Sequence, residues 1–261
     1  MTEPQRSKNT GLRENQVIVT AKRALGMNKF YVAIAIVIGL GVLLFLNPTY
    51  ANFSQHTNSS TNSTIGGLVI STQTGASSLG LPLLAVPFTV LPMLMLTTPM
   101  VILFVYDKNN GVLEYLISLG MTQRDIYERY LEASLLVAVS YLLIFGALNL
   151  LYSFVHFGTI YLPIMLMILG IGALIALSTV AFIITMMMIF SSLQKARNGG
   201  NQPLAITVGL VGVFPGYFIP FLFPFNTAMA VEIVQGVIIA AVSLILLLMS
   251  SRLIKREKFL P

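Results

Sequence analysis

Lys and Arg occur in only four short regions of this 261-residue chain, and the stretches between them are almost entirely apolar. The basic regions are 6–29, 108–129, 195–197 and 252–258. In membrane proteins, Lys and Arg collect in short loops on the cytoplasmic side of the bilayer. The segregation therefore predicts a membrane protein and, at the same time, which of its loops face the cytoplasm.

The composition agrees with a bilayer as the solvent. Hydrophobic residues make up 56% of the chain and charged residues only 9%, whereas soluble domains contain about 25% charged residues. The net charge of +6 comes from residues that flank apolar segments, so it indicates topology rather than binding to nucleic acid. The chain has no cysteine, which excludes disulfides, thiolate chemistry and cysteine-ligated metals.

Six segments are long enough to cross a bilayer, which takes about 20 mostly apolar residues. They cover 30–46, 79–106, 131–155, 161–190, 203–223 and 231–251. An even number of crossings places both termini on one side, and every Lys and Arg then falls in the cytoplasmic segments 1–29, 107–130, 191–202 and 252–261. We predict an all-α, multi-pass plasma-membrane protein whose single transmembrane domain spans 1–261, with six transmembrane helices and both termini in the cytoplasm.

The first exterior segment, 47–78, is polar and rich in Ser, Thr and Asn. It contains three acceptor triplets for N-glycosylation, which begin at Asn52, Asn58 and Asn62. A plain disordered loop of the same composition would also contain such triplets. The sequence therefore leaves open whether this segment is glycosylated.

The N-terminal segment has the pattern of an amphipathic helix that lies in the plane of the inner leaflet. Lys22 and Arg23 lie off its apolar face. The residues that share this face are Val17, Ile18, Ala21, Ala24 and Leu25.

No charged residue falls near the middle of any predicted span. Asp107 lies at the cytoplasmic end of the second predicted span. His156 and Glu232 lie at the exterior ends of the third and sixth predicted spans. Carriers driven by protons or ions usually need buried ionisable groups, so this class is disfavoured, although backbone carbonyls can hold sodium. Likewise, the chain has no GxxxxGK[S/T] phosphate-binding loop and only two His. We predict no catalytic residue, no metal site and no cofactor in this chain.

The cytoplasmic loop between the second and third spans, 107–130, is longer than a helix connector needs. Val112 to Leu119 predict a short helix with Leu113, Leu116 and Ile117 on one side, and Glu114 and Ser118 stacked on the other. Gly120 ends this helix in a left-handed cap. Thr122 and Asp125 form a capping box that starts the next helix. This arrangement suits a lever moved by a soluble partner, or an interfacial helix resting on lipid headgroups.

The same loop resembles that of the ABC-2 type permeases, the membrane subunits of a class of ABC transporters. The family pattern is an acidic residue, Gly-Thr-(Leu/Ile)-Glu-x-Leu-Leu, a Pro/Gly-x-(Ser/Thr)-Arg corner, then Glu/Asp-Ile and a basic residue. This chain has Val112 in place of the threonine, Gly120 in place of the proline and one extra residue before Arg124. The matching residues are Asp107, Gly111-Val-Leu-Glu114-Tyr-Leu-Ile117, Gly120-Met-Thr-Gln-Arg124, Asp125-Ile126 and Arg129.

The resemblance implies that the short helix is a coupling helix, which sits in a cleft of a separate ATPase subunit. The implied coupling residues are Asp107, Gly111, Leu113, Glu114, Leu116, Ile117, Gly120 and Arg124. Two ATPase copies would bind ATP and magnesium, and a second permease subunit, identical or homologous, would complete an exporter.

Two other classes remain open: an integral membrane enzyme or assembly factor acting on lipid-linked substrates, and an ion-coupled carrier. A pathway without charged residues favours lipids, apolar drugs or peptides as cargo. The predicted partners are thus the ATPase, the second permease subunit and membrane lipids, with no nucleic acid.

Overall fold

The computed structural model describes residues 3–41, 85–157, 162–189, 218–222 and 225–253. These residues form helices and turns with no strand, which confirms the all-α prediction. In chain order the helices are α1 (Glu3–Met27), α2 (Lys29–Gly41), α3 (Ala85–Asn109), α4 (Val112–Ser118), α5 (Gln123–Phe157), α6 (Leu162–Ile189), α7 (Ile219–Leu222) and α8 (Phe225–Leu253).

Among the described helices, four are long and apolar enough to cross a bilayer: α3, α5, α6 and α8. The end of α1 and the described part of α2 meet at an angle of 87° and give a fifth candidate if the bent pair is counted as one span. The chain is therefore built as a membrane-spanning protein. The predicted exterior loop 47–78 lies outside the described residues, as does the predicted fifth span 203–223 apart from 218–222.

The core forms where α3 packs against α1, α5 and α6, and where α8 packs against α6. α3 is the most buried of the four long helices, and its Met93, Met100 and Phe104 are fully enclosed. In a bilayer such packing is stabilised mainly by van der Waals contact and by hydrogen bonds between helices. α3 and α6 together therefore form the centre of the bundle, because α6 also packs against α5.

Three buried threonine hydroxyls in the core form hydrogen bonds within their own helices. Thr97 and Thr98 of α3 donate to the carbonyls of Met93 and Leu94 at 2.8 and 3.0 Å. Thr179 of α6 does the same four residues back. Because lipid offers no water to pair with, this local bonding lets polar side chains remain in an apolar interior.

α6 and α8 approach each other closely and run in the same direction. Ser243 donates a 2.7 Å hydrogen bond to the carbonyl of Ser178. Gly236, about two turns before Ser243 in α8, lies against Leu174 and Ile175. A Cβ added at Gly236 would meet Ile175 at 3.0 Å. Small residues at such contacts let two backbones come together in a membrane.

The apolar face of α1 is covered by protein rather than left for lipid. Val17, Ala21 and Ala24 are buried, and α1 packs on α3 and α5. Ile18, which the sequence places on the same face, is instead 43% exposed. α1 therefore has an apolar side, and Val17, Ala21 and Ala24 on that side pack into the protein core.

Candidate functional site

α3 ends and α4 begins at a single left-handed glycine. Gly111 has a φ of +70°, a conformation that a Cβ would disfavour. Its N–H bonds to the carbonyl of Lys108 at 3.2 Å, and its own carbonyl accepts the N–H of Tyr115 at 3.0 Å. The glycine therefore closes one helix and opens the next within a two-residue turn.

α4 has one buried and one exposed side, as the sequence predicts. Leu113 is fully buried, and Leu116 and Ile117 are half-buried against the core. The outward side carries exposed residues, and two of them are large: Tyr115 and Leu119 are both 63% exposed. The exposed set is Glu114, Tyr115, Ser118 and Leu119.

α4 ends at Ser118, one residue before the predicted end, and Leu119 caps it. Gly120 follows with a φ of +89°, which confirms the predicted left-handed cap. The N–H of Gly120 bonds to Ile117 at 3.0 Å, and that of Met121 bonds to Leu116 at 3.1 Å. These two bonds satisfy carbonyls that the helix end would otherwise leave open, in the pattern of a Schellman motif.

The start of α5 has the predicted capping box. The carboxylate of Asp125 accepts the backbone N–H of Thr122 at 2.9 Å, and the hydroxyl of Thr122 accepts the N–H of Asp125 at 3.2 Å. One turn on, Arg124 and Glu128 form an exposed ion pair at 2.7 Å, which at such a site contributes less than about 1 kcal/mol. The start of α5 is thus held mainly by the capping bonds of Thr122 and Asp125, and little by the surface ion pair.

Asp107 lies inside the protein, at the junction of three helices. Its side chain is only 4% exposed. Both guanidinium Nη atoms of Arg23, from α1, contact the carboxylate, at 2.7 Å to Oδ1 and 3.1 Å to Oδ2. The hydroxyl of Tyr130, from α5, donates to Oδ2 at 2.6 Å. Because charged hydrogen bonds are strong when water is excluded, Asp107 ties α1, α3 and α5 together.

A second polar contact joins α1 to α5 beside the first. Arg129 donates from Nε to the hydroxyl of Thr20 at 2.7 Å, and Thr20 donates in turn to the carbonyl of Gln16 at 2.8 Å. A cavity of about 110 Å³ lies next to these contacts, with Val112 and Leu116 of α4 in its wall. α4 therefore rests on a polar junction with some free space beneath it.

The structure divides the residues predicted for coupling into two groups. Glu114 and Arg124 lie at the surface, while Asp107 and Leu113 lie inside and hold α4 in place. The predicted glycosylation residues Asn52, Asn58 and Asn62 lie outside the described residues.

Sequence reasoning missed the roles of Thr20, Arg23 and Tyr130 in this junction. A usable signal was Asp107 itself, because an acidic residue at the end of an apolar span needs a partner.

Together these elements present a short helix on a fixed base. Within the described ranges, no three His, Asp or Glu side chains group as metal ligands would. The residues form an exposed helix, α4, whose buried side is packed on the core. Tight turns join α4 to the long apolar helices α3 and α5. Compared with protein-family models, with curated proteins and with solved structures, the chain matches none.

Proposed function

We propose that this chain is the membrane subunit of an ATP-driven ABC transporter, an exporter of the plasma membrane, and that α4 is its contact with a separate ATPase. The observation that carries the proposal is the two-sided character of α4. Leu113 anchors the helix in the core, while Tyr115 and Leu119 are large, apolar and exposed. Aromatic and aliphatic side chains that remain exposed on a fixed helix suit a protein–protein contact.

The connections of α4 suit the transmission of movement. Gly111 joins it to α3 and the capped turn at Thr122 joins it to α5, both of which are long enough to cross a membrane. Force on α4 would therefore reach two spans at once. In this proposal two ATPase copies bind ATP and magnesium, and their closure moves α3 and α5 in each of two permease subunits.

The parallel direction of α6 and α8 supports the six-span arrangement. Two consecutive spans that run the same way need one crossing of the chain between them, and the predicted fifth span, 203–223, would be that crossing. With it, every Lys and Arg would lie on the side of α4. The positive-inside rule would then put α4 and both termini in the cytoplasm, where an ATPase could reach α4.

Purification from native membranes in a mild detergent, followed by mass spectrometry of the co-eluting chains, tests the proposal. We expect a nucleotide-binding ATPase to co-elute with the wild-type chain. Replacing Glu114 and Arg124 together with Ala should weaken this association, whereas replacing Asn110, which is exposed just before α4, should not. Recovery of enzymes of lipid-linked synthesis without an ATPase would instead support the membrane enzyme or assembly factor.

A further inference from the structure

Glu232 lies on the buried side of α8. The residues on this side follow a helical spacing and are almost completely enclosed, whereas neighbours such as Val234 and Val237 are more than half exposed. Contacts from Gly236 and Ser243 show that this side faces α6. The enclosed residues are Ala228, Glu232, Gly236, Ser243 and Ser250.

This glutamate is within the apolar part of the helix, not in a loop. α8 is long and apolar enough to span a membrane from Thr227 to Ser250, and Glu232 comes seven residues after Phe225, about 10 Å along the axis. The end of α6 lies beside the start of α5, as a 2.9 Å hydrogen bond between Thr185 and Tyr127 shows. Since α8 runs parallel to α6, Glu232 lies at the end of the bundle opposite α4.

The carboxylate of Glu232 has no partner among the described residues. Its exposure is 0%, and neither Oε1 nor Oε2 makes a hydrogen bond there. The helix that it faces, α6, contains no charged residue from Leu162 to Ile189. The sequence has no Lys or Arg in 130–194 or in 198–251, so a second copy of this chain has no basic side chain to offer from those stretches.

A buried carboxylate without a counter-charge is costly, and inside a membrane such a residue generally serves a function. A hard metal cation is a poor match, because it takes six to eight oxygen ligands and the described residues hold no cluster of acidic or His side chains. An organic cation with an apolar body needs one counter-charge and apolar walls. Leu174 and Ile175, which line the same helix contact one turn away at Gly236, provide such walls.

We infer that Glu232 is the counter-charge for a lipophilic organic cation that binds between α6 and α8. Because α6 and α8 pack closely at Gly236, the inference requires that the two helices separate to admit this molecule. The inference rests on the proposed function, since it names the chemical class of the cargo. It also revises the sequence-based expectation of an uncharged path, because it places one acidic group in that path.

Binding of tetraphenylphosphonium to the purified full chain in lipid nanodiscs tests the inference. We expect saturable binding to the wild type and binding at least ten times weaker to Glu232→Gln, which keeps the shape and removes the charge. Ser250→Ala is the matched control, because Ser250 is a buried polar residue of α8 whose hydroxyl donates to the carbonyl of Leu247 in its own helix, and it should bind as the wild type does.

Tetraphenylborate has the same shape and the opposite charge, so it tests the wild-type chain without any substitution. The inference requires that the wild type prefers the phosphonium ion by at least ten-fold. Equal binding of the two ions, or unchanged phosphonium binding by Glu232→Gln, would overturn it. The assay contains no ATPase, so a negative result here leaves the proposed coupling through α4 intact, and a failure of ATPase association leaves this result intact.

Discussion

Arg23 and Asp107 lie 84 residues apart in the sequence and form an ion pair of 2.7 Å between Nη2 and Oδ1. The carboxylate is buried and the guanidinium is 42% exposed, so the pair lies at the edge of the core. It joins α1 to the end of α3, directly before the turn into α4. The N-terminal helix is thereby part of the same mechanical unit as α4.

Replacing Arg23 with Gln should loosen α1. Asp107 would keep only the Tyr130 hydroxyl, and a buried acceptor that loses its partner costs roughly 1–3 kcal/mol. We expect amide hydrogen exchange in 15–27 to become faster by about one to two orders of magnitude. Lys22→Gln, at the exposed neighbouring position, is the control, and equal exchange in the two variants would contradict the role of the pair.

The capping box predicts a clear difference between two small substitutions at Thr122. Thr122→Ala removes the hydroxyl that bonds to Asp125 and should destabilise the start of α5 by about 1 kcal/mol. Thr122→Ser keeps the hydroxyl and should behave like the wild type. Hydrogen exchange at 123–126 measures the effect. If both variants exchange alike, the capping bonds contribute nothing measurable.

Gly120→Ala should strain the turn after α4. An alanine Cβ at this position would meet no other atom within 4 Å, so the cost arises from the positive φ alone and amounts to about 1–2 kcal/mol. Gly146→Ala, in the interior of α5 with equally open surroundings, should be neutral or slightly stabilising. Thermal unfolding of the two variants in detergent, with hydrogen exchange of α4, compares them. A loss of stability at Gly146 alone would contradict the assignment.

The exposed side of α4 should matter for binding and not for folding. Tyr115→Ala and Leu119→Ala should each change the stability of the chain by less than about 0.5 kcal/mol. If these side chains anchor an ATPase, each should weaken its binding by roughly 2 kcal/mol, about 30-fold. Leu113→Ala is the contrasting variant, because loss of a fully buried leucine costs about 2–5 kcal/mol. Normal ATPase binding by both surface variants would argue against the contact.

Local patterns were enough to predict the secondary structure around α4. The bounds of this helix, the left-handed Gly120 and the bonds of Thr122 to Asp125 all depend on residues within four positions of one another. Such features follow from backbone geometry and capping, which sequence spacing expresses directly. The helical class follows equally from the long apolar segments.

Contacts between distant elements could not be predicted in the same way. Nothing in the sequence near Asp107 pairs it with Arg23, because that contact depends on how α1 packs on α3. The amphipathic face of α1 shows the same limit: periodicity identifies an apolar side but not whether lipid or protein covers it. Glu232 was placed at the end of a span from sequence, and only the packing of α8 on α6 shows that it is enclosed.

Site-specific cross-linking from α4 is the most direct test of the central claim. The chain has no cysteine, so Tyr115→Cys introduces one reactive thiol on the exposed side of α4, and Lys22→Cys, exposed on α1, is the control. With a short thiol-reactive cross-linker in native membranes, we expect Cys at 115, but not at 22, to capture a nucleotide-binding ATPase. Labelling of the 115 thiol by a membrane-impermeant reagent from outside intact cells, with no ATPase captured, would contradict the account.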